Sequence, residues 1–418
     1  MAPREEGPLV PAGNPAGAGG LKFLGVTLKE RERWTMQDKH YLLIPGPTPV
    51  PPSVLQAMSR PMIGHRSEEF AALHRRIQEK IKHVFQTEHE VFILTCSGTG
   101  GLEAAVANVL SPGDRVLALI TGNFGERFAN IARAYGAEVD EVHFGWGSDV
   151  DLAVVKEKLA RGGYKAVLAT HNETSTGVLN DIAGIGALVA ETPALLLVDG
   201  VSSVGGVEIK MDEWHVDVLV TASQKAMMLP PGLAMIGVSP KAWRVIEENR
   251  APRFYFSLPA ARKSLEKWNT PYTPNVTLFQ GLDAALDMML AEGLENVYRR
   301  HRLLARATRN AVRALGLELL AGDACASPTV TAVKSPPGIP ADDLRRVLKA
   351  EFGITFAGGQ GILKGKIFRI AHMGFADKMD VMVAVSGLEM ALARMNYPVE
   401  LGRGVRAAQE TFLGREQR

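Results

Sequence analysis

Six short apolar runs constrain this chain more than any other feature of it. They lie at 91–95, 115–121, 165–170, 194–199, 216–222 and 233–238, and each is nearly unbroken and rich in β-formers. A strand with one wet face alternates apolar and polar residues. A strand covered on both faces does not, and such strands belong to mainly parallel sheets sandwiched between helices. Helical patterns at 102–110, 124–135 and 151–160 fall between several of the runs. Ser111-Pro112-Gly113-Asp114 separates the first helix from the next strand, and Gly136 ends the second. The pattern predicts a wound α/β fold.

The flanking stretches differ in kind. Residues 1–38 are rich in Gly, Pro and Ala and then in charge, and are expected as a flexible tail that cannot bury enough apolar surface to order itself. Residues 41–52, YLLIPGPTPVPP, hold too many prolines for a helix or a central strand, and are expected as an extended arm laid across a surface. A long helical region begins near Val276 and continues through Gly293 toward a second domain. That domain has strands around 329–333 and 367–371 and helices around 340–352 and 378–395. The expected division is a tail over 1–38, a large domain over 39–290, a small C-terminal domain over 291–400 and a charged peripheral tail over 401–418.

Charge and cysteine content narrow the function classes. Lys plus Arg is 47 against 45 for Asp plus Glu, a net charge of +2 that provides no footprint for nucleic acid or an anionic membrane. Two cysteines, Cys96 and Cys325, do not make a disulfide framework and fit a reducing compartment. No apolar run is long enough to span a bilayer. The first residues lack the apolar core of a signal peptide and carry Arg4, Glu5 and Glu6, so the cytoplasm is expected.

The chemistry is concentrated at the ends of two consecutive strands. Asp199 closes a buried run in LLLVDGVSSVGG, where an unpaired carboxylate is costly. By itself it fits either a loop or capping aspartate or the counter-ion of a buried cation, at the edge where α/β sheets place ligands. Lys225 follows the next strand in VDVLVTASQK, ahead of the rigid AMMLPPG. Most lysines are solvated surface groups, and the pairing is what distinguishes this one. Asp199 and Lys225 are 26 residues apart at the same ends of neighbouring strands, so both can face one cleft. Pyridoxal phosphate (PLP) needs this pair: an amine to form a Schiff base with its aldehyde, and a carboxylate to keep its pyridine nitrogen protonated. TCSGTGGLEAAV adds a candidate phosphate cradle, a strand followed by Ser97-Gly98-Thr99-Gly100-Gly101 and a helix. Glycines there admit an anion close to the backbone, and the free N–H groups of the helix start can bind it. A plain tight turn between strand and helix has the same composition. A dinucleotide fingerprint is excluded because the sixth position after Gly98 and Gly100 is Glu103, and a Walker A loop because no Gly-Lys-Ser/Thr follows.

Five segments in order, SGTGGLEAA, THNETSTGVLND, LLLVDGVSSVGG, SQKAMMLPPG and KIFRIAHMG, resemble the class V aminotransferases of PLP fold type I over about 41–395. The likeness is greatest to the alanine–glyoxylate and serine–glyoxylate (serine–pyruvate) group. It implies an α/β fold with a mainly parallel seven-stranded sheet in the large domain and a smaller C-terminal α/β domain. It implies PLP as the cofactor, Lys225 as the Schiff-base lysine and Asp199 as the partner of the pyridine nitrogen. Ser97, Gly98 and Thr99 would bind the phosphate, which Gln224 would reach from the residue before the lysine. Phe124 would stack on the ring where relatives often carry Trp, Val201 would pack against the ring, and Thr174 would face its O3′ side. Thr273, with Thr270 as a companion, would reach the phosphate from a neighbouring subunit, making a homodimer with shared sites. Arg369 would clamp the substrate α-carboxylate in a bidentate pair, and Gly46 would let the arm's backbone approach the substrate. Without the resemblance, Phe124 is a core aromatic, Thr174 a turn threonine and Arg369 half of an internal ion pair. The implied reaction is ping-pong transamination from alanine or serine to glyoxylate or pyruvate, since no clear second cation stands out for a dicarboxylate.

Three other readings compete with this one. A cysteine desulfurase needs a cysteine in the loop FAGGQGILKG before Arg369, and none is there; Cys96 and Cys325 read as ordinary buried or loop residues. A phosphoserine aminotransferase would use a His-Arg pair such as His65-Arg66 in GHRSEEF. The same string occurs in the glyoxylate group, and a helix start at Ser67 with Glu68 and Glu69 also accounts for it. A non-catalytic binding protein on the same fold is disfavoured because every expected catalytic position is filled.

Overall fold

The six apolar runs pair into a single sheet. In the computed structural model, which describes residues 39–415, the strand order is Val91–Leu94, Ala234–Val238, Val218–Ala222, Leu195–Asp199, Ala166–Thr170, Arg115–Ile120 and Glu138–His143. Ala234–Val238 runs antiparallel to both neighbours, and the other pairings are parallel. The last strand, EVDEVH, has no apolar run to announce it because it lies at the sheet's edge and is only half-buried.

Every residue of the three central strands is buried. Alternate side chains go to opposite faces, as a two-residue period requires. Leu195 and Leu197 pack with Leu102, Val106 and Phe128 from helices Gly98–Val109 and Asn123–Ala134. Leu196 and Val198 pack with Ile77 and Ile81 of Glu68–Phe85 and Leu282 of Val276–Glu292. Two helical layers thus enclose the sheet, which is why its strands read as continuous apolar runs. The helical region near Val276 is two helices, Val276–Glu292 and Leu294–Ala314, separated by Gly293 at φ +82°, a backbone that favours glycine.

A second sheet has the order Tyr41–Leu43, Ile354–Gly358, Ile367–Ala371 and Val330–Lys334. The arm expected to lie extended on a surface therefore begins as an edge strand, with Tyr41 paired to Ile354. The cause is Leu43, which is buried with Phe356 and Phe368. The chain then turns to the first sheet, where Thr48 N donates to Gln224 O (3.1 Å) and Thr48 Oγ1 to Lys225 O (2.9 Å). From His40 onward the protein forms one compact unit that holds both sheets.

The expected charged tail at 401–418 needs correction. It contains a helix, Arg403–Phe412, with Gly404, Ala408 and Thr411 buried. The carboxylate of Glu389 accepts from the N–H groups of Gly402, Gly404 and Val405 at 2.9, 2.7 and 3.0 Å, supplying the partners that a helix start otherwise lacks. The expected tail at 1–38 lies outside the described residues, as do residues 416–418.

Candidate active site

Parallel strands deliver their C-terminal ends to one edge of a sheet, and ligands of such folds gather there. Asp199 ends its strand opposite Val220 of the neighbouring strand, and Lys225 lies in the turn just after that neighbour. Asp199 is 4% exposed. Its Oδ1 accepts from Val201 N at 2.9 Å. Burial pushes its carboxyl up to about 6; the Val201 N–H opposes this, the charge of Glu173 reinforces it, and Lys225 and Arg127 oppose it. Burial pulls the Lys225 amine down to about 8, helped by Arg369 and Arg127 and opposed by Asp199. Two mutually coupled, displaced groups at a sheet edge are characteristic of functional sites.

The arm closes over the lysine. Lys225 Nζ donates to the carbonyl of Pro45. A Cβ on Gly46 would lie 2.7 Å from Lys225 Cδ and 2.8 Å from Nζ, and the residue's φ is +137°, so position 46 demands glycine twice over.

Ser97 caps helix Gly98–Val109, accepting from Gly100 N at 3.4 Å, and Ser97 and Thr99 are exposed at the helix start. A Cβ on Gly98 would stand 3.0 Å from Ala222 Cβ and from Val201 Cγ2. Glycine therefore lets the helix start abut the strand ends beside Val201. Gln224 has a buried side-chain oxygen without a hydrogen-bond partner. An orphaned amide costs about 1–3 kcal/mol, and because its two ends interchange by a flip, a phosphate oxygen would satisfy it. The free helix start, the glycine approach and the orphaned amide fit an anionic, phosphate-bearing cofactor.

Phe124 is the second residue of helix Asn123–Ala134. The helix is capped in an unusual way. Its N-cap, Gly122, has no side chain to offer, and the fully buried carboxylate of Glu173 takes its place. Glu173 Oε2 accepts from Phe124 N (3.1 Å) and Gly125 N (3.0 Å), and Oε1 from Ser175 N (3.0 Å) and Ser175 Oγ (2.5 Å). A Cβ on Gly122 would sit 2.7 Å from Glu173 Cγ, so the glycine makes room for the carboxylate. Burial raises the Glu173 carboxyl, and hydrogen bonds from Ser175, Gly125 and Phe124 work against that rise. Nearly one turn along, the Arg127 guanidinium stands over the Phe124 ring, 4.8 Å from its centroid.

Thr174 links the two sheets. Its hydroxyl donates to Ser202 Oγ at 2.6 Å, and its carbonyl accepts from Arg369 Nη1 at 2.9 Å. Arg369 Nε donates to Gly358 O at 2.9 Å. Burial pulls the Arg369 guanidinium down to about 10, with Glu173 opposing and Arg345 adding. Among the described residues no carboxylate is within ion-pair distance of Arg369, so the internal ion pair allowed by the sequence does not form.

The site residues expected from the sequence fall into two groups. Lys225, Asp199, Gly46, Val201, Gly98, Gln224, Thr174 and Arg369 are linked to one another by contacts, hydrogen bonds or charge at one sheet edge, with Ser97, Thr99 and Phe124 on the adjoining helix starts. Among the described residues, no hydrogen bond joins Thr270 or Thr273 to that group. Thr270 Oγ1 donates to Tyr272 O at 2.7 Å, and Thr273 is exposed. Their segment is held by Arg66, whose Nη1 donates to Thr270 O (2.5 Å) and Asn269 Oδ1 (3.3 Å) and whose Nη2 donates to Pro271 O (3.1 Å). The sequence left Arg66 without a role. Ser67 caps the following helix as expected, accepting from Phe70 N at 3.3 Å. Burial, then Glu103, pushes Cys96 up to about 12, and burial, then Asp149, raises Cys325; neither thiol is set up as a nucleophile. Three residues escaped the sequence reading: Glu173, Ser202 and Arg127. A signal existed for two of them, an acid inside the buried-strand context of NETSTG and the i, i+3 spacing of Phe124 and Arg127 in GNFGER.

This combination of fold and site has known counterparts. The Aminotransferase class-V family model matches residues 40–374. The chain belongs to the class V aminotransferases. It is therefore a PLP-dependent transaminase of fold type I, as the sequence segments implied. The aminotransferase is 47% identical over 382 residues to a protein of Synechococcus sp. (strain PCC 6716) described as the small subunit of soluble hydrogenase, covering 90% of this chain and 99% of that one. It is 39% identical over 384 residues to the serine–glyoxylate aminotransferase of Arabidopsis thaliana, covering 90% and 95% of the two chains. The crystal structure of ureidoglycine–glyoxylate aminotransferase from Bacillus subtilis superposes with a TM-score of 0.86 at 33% identity, over 91% of this chain and 100% of that one.

Proposed function

We propose that this aminotransferase moves an amino group from a small amino acid, alanine or serine, to glyoxylate or pyruvate by a ping-pong cycle. PLP, when bound, supplies a protonated pyridine ring as an electron sink. Ser97, Gly98, Thr99 and Gln224 would hold its phosphate, Phe124 and Val201 its ring, Asp199 its pyridine nitrogen, Thr174 its O3′ and Lys225 its aldehyde carbon. The observation that carries the reading is Arg369, a buried cation whose hydrogen-bond partners among the described residues are carbonyls, with no carboxylate bonded to it. It binds the substrate α-carboxylate and so fixes the orientation of the α-carbon. Lys225, with its amine brought down to about 8, takes the α-proton as a general base near neutral pH and returns it as an acid. Asp199 stabilises the positive ring nitrogen, and that charge in turn keeps Asp199 ionised.

The small donor is supported by the arm, which places the Gly46 backbone and the Pro45 carbonyl against Lys225. Glyoxylate is the acceptor named for both the Arabidopsis relative and the B. subtilis neighbour. The phosphoserine alternative is weakened because both terminal nitrogens of Arg66 bind its own chain at 269–271. The proposal includes a homodimer in which Thr273, with Thr270, reaches the partner's phosphate. Stacked aromatics beside that segment support it: Phe254, Tyr255 and Tyr272, the first 79% exposed, form an apolar patch suited to a protein partner. A cytoplasmic location is proposed from the two unpaired thiols, which suit a reducing compartment.

The test is a panel of alanine, serine, aspartate and phosphoserine against glyoxylate, pyruvate and 2-oxoglutarate, read as products and as loss of the cofactor's visible colour in each half-reaction. Alanine or serine with glyoxylate should turn over fastest. Turnover of phosphoserine with 2-oxoglutarate, and none with glyoxylate, would defeat the proposal.

A further inference from the structure

Helix Asn123–Ala134 brings to the cavity a cation that the mechanism above does not use. Arg127 lies over the Phe124 ring, 4.8 Å from the centroid. Among the described residues, its guanidinium has no hydrogen-bond or ion-pair partner. An arginine fork has five donors, and no carboxylate among the described residues engages them here. Its neighbours on the helix and across the groove include Glu103, Glu126 and Asn123, and the Glu103 carboxylate is already bonded by the Tyr135 hydroxyl at 2.9 Å. From below, Glu173 fixes the backbone of Phe124 and Gly125. Phe124 is therefore held by its backbone on one side and covered by a cation on its ring.

Charge supplies the second line of argument. The groups acting on one another at this edge are Lys225, Arg369, Arg345 and Arg127 on the positive side and Asp199 and Glu173 on the negative side, with Glu103 and Glu126 in the groove beside Arg127. The hydrogen bonds from Phe124 N, Gly125 N, Ser175 N and Ser175 Oγ are all donated to Glu173, which suits its ionised form. Arg127 adds a positive charge that acts on both Asp199 and Lys225, a field that favours a phosphate-bearing ligand.

We propose that Arg127 is a positioning residue for the cofactor, acting through Phe124: the guanidinium fixes the ring that stacks on the pyridine and adds a positive charge beside it. The proposal rests on the reading that Phe124 is the stacking residue. It adds to that reading a cation–π brace which no sequence motif assigns.

The test uses the full chain freed of cofactor and reloaded with PLP. PLP affinity is measured for the wild type, Arg127→Met, Arg127→Lys, Phe124→Ala and Phe124→Ala/Arg127→Met, and the visible absorbance of each loaded form is titrated with pH. Arg127→Met should weaken PLP binding about tenfold, the size of a desolvated cation–π contact. In the Phe124→Ala background the same change should cost about threefold or less, because the two residues act as a unit. Arg127→Met should also move the absorbance midpoint to higher pH, and Arg127→Lys should restore it, since the charge is kept. Thermal melting of the cofactor-free variants should match the wild type. Unchanged affinity and midpoint in Arg127→Met, or an equal loss in both backgrounds, would overturn the proposal. If Phe124→Ala itself binds PLP normally, the stacking reading fails instead, which keeps the two failures distinguishable.

Discussion

Asp199 and Arg369 enter the same cavity from different sheets and are held in opposite ways. Asp199 ends a parallel strand, where the ladder has run out and the next turn offers an N–H, that of Val201 at 2.9 Å. Arg369 sits in the middle of Ile367–Ala371, every residue of which is buried, and its partners are two carbonyls, one from its own sheet and one from the Thr174 segment. A carboxylate accepts, so it can be placed wherever backbone N–H groups are free. A guanidinium only donates, and carbonyls satisfy its hydrogens without neutralising its charge. On the proposed reading this is a division of labour: bound cofactor would answer the charge of Asp199, and substrate that of Arg369.

Substitutions can break this comparison. Lys225→Ala should have the largest effect, lowering turnover by at least about 10⁴-fold and abolishing the lysine-bound cofactor's absorbance; an active variant would remove the basis of the mechanism. Asp199→Asn keeps the shape and loses the charge. It should lower kcat by about 10²–10³-fold, the loss typical of one preorganised electrostatic group, and weaken PLP binding. Arg369→Lys should instead leave PLP affinity near the wild-type value and lower kcat/KM for amino donors by about 10²-fold, chiefly through KM, because a point charge cannot reproduce the bidentate fork. If Arg369→Lys weakens PLP binding as much as Asp199→Asn does, the two charges are not divided in this way.

The two regions also differed in how far the sequence revealed them. The edge that carries Asp199 and Lys225 was legible because buried parallel strands are continuous apolar runs and a charge at the end of one stands out. Glu138–His143 was not, since an edge strand needs no such run. Tyr41–Leu43 was obscured by the prolines after it, and its place is fixed by a partner more than 300 residues away, at Ile354–Gly358. The helix Arg403–Phe412 was hidden by its own charges, its buried side consisting of the small residues Gly404 and Ala408 and of Thr411. Glu173 was legible only in part: an acid in the buried context of NETSTG stands out, but nothing in the sequence places it beneath the start of another helix.

The smallest predicted effect sharpens the comparison most, because the two charges should push one observable in opposite directions. Lys225 attacks the cofactor's aldehyde only as the free amine. Capture of PLP by cofactor-free enzyme should therefore accelerate as pH rises through about 8. Arg369 lowers that value by disfavouring a second positive charge, and Asp199 raises it by favouring the ammonium. Arg369→Met should move the midpoint of the rate–pH curve upward, and Asp199→Asn should move it downward. Each shift should be about half a pH unit to one unit, equivalent to roughly 0.7–1.4 kcal/mol of interaction. Because the measurement is made before substrate is added, it reports the field at the lysine and not substrate binding. Shifts of the same sign in both variants would mean that changes in burial, rather than charge, set the amine's basicity.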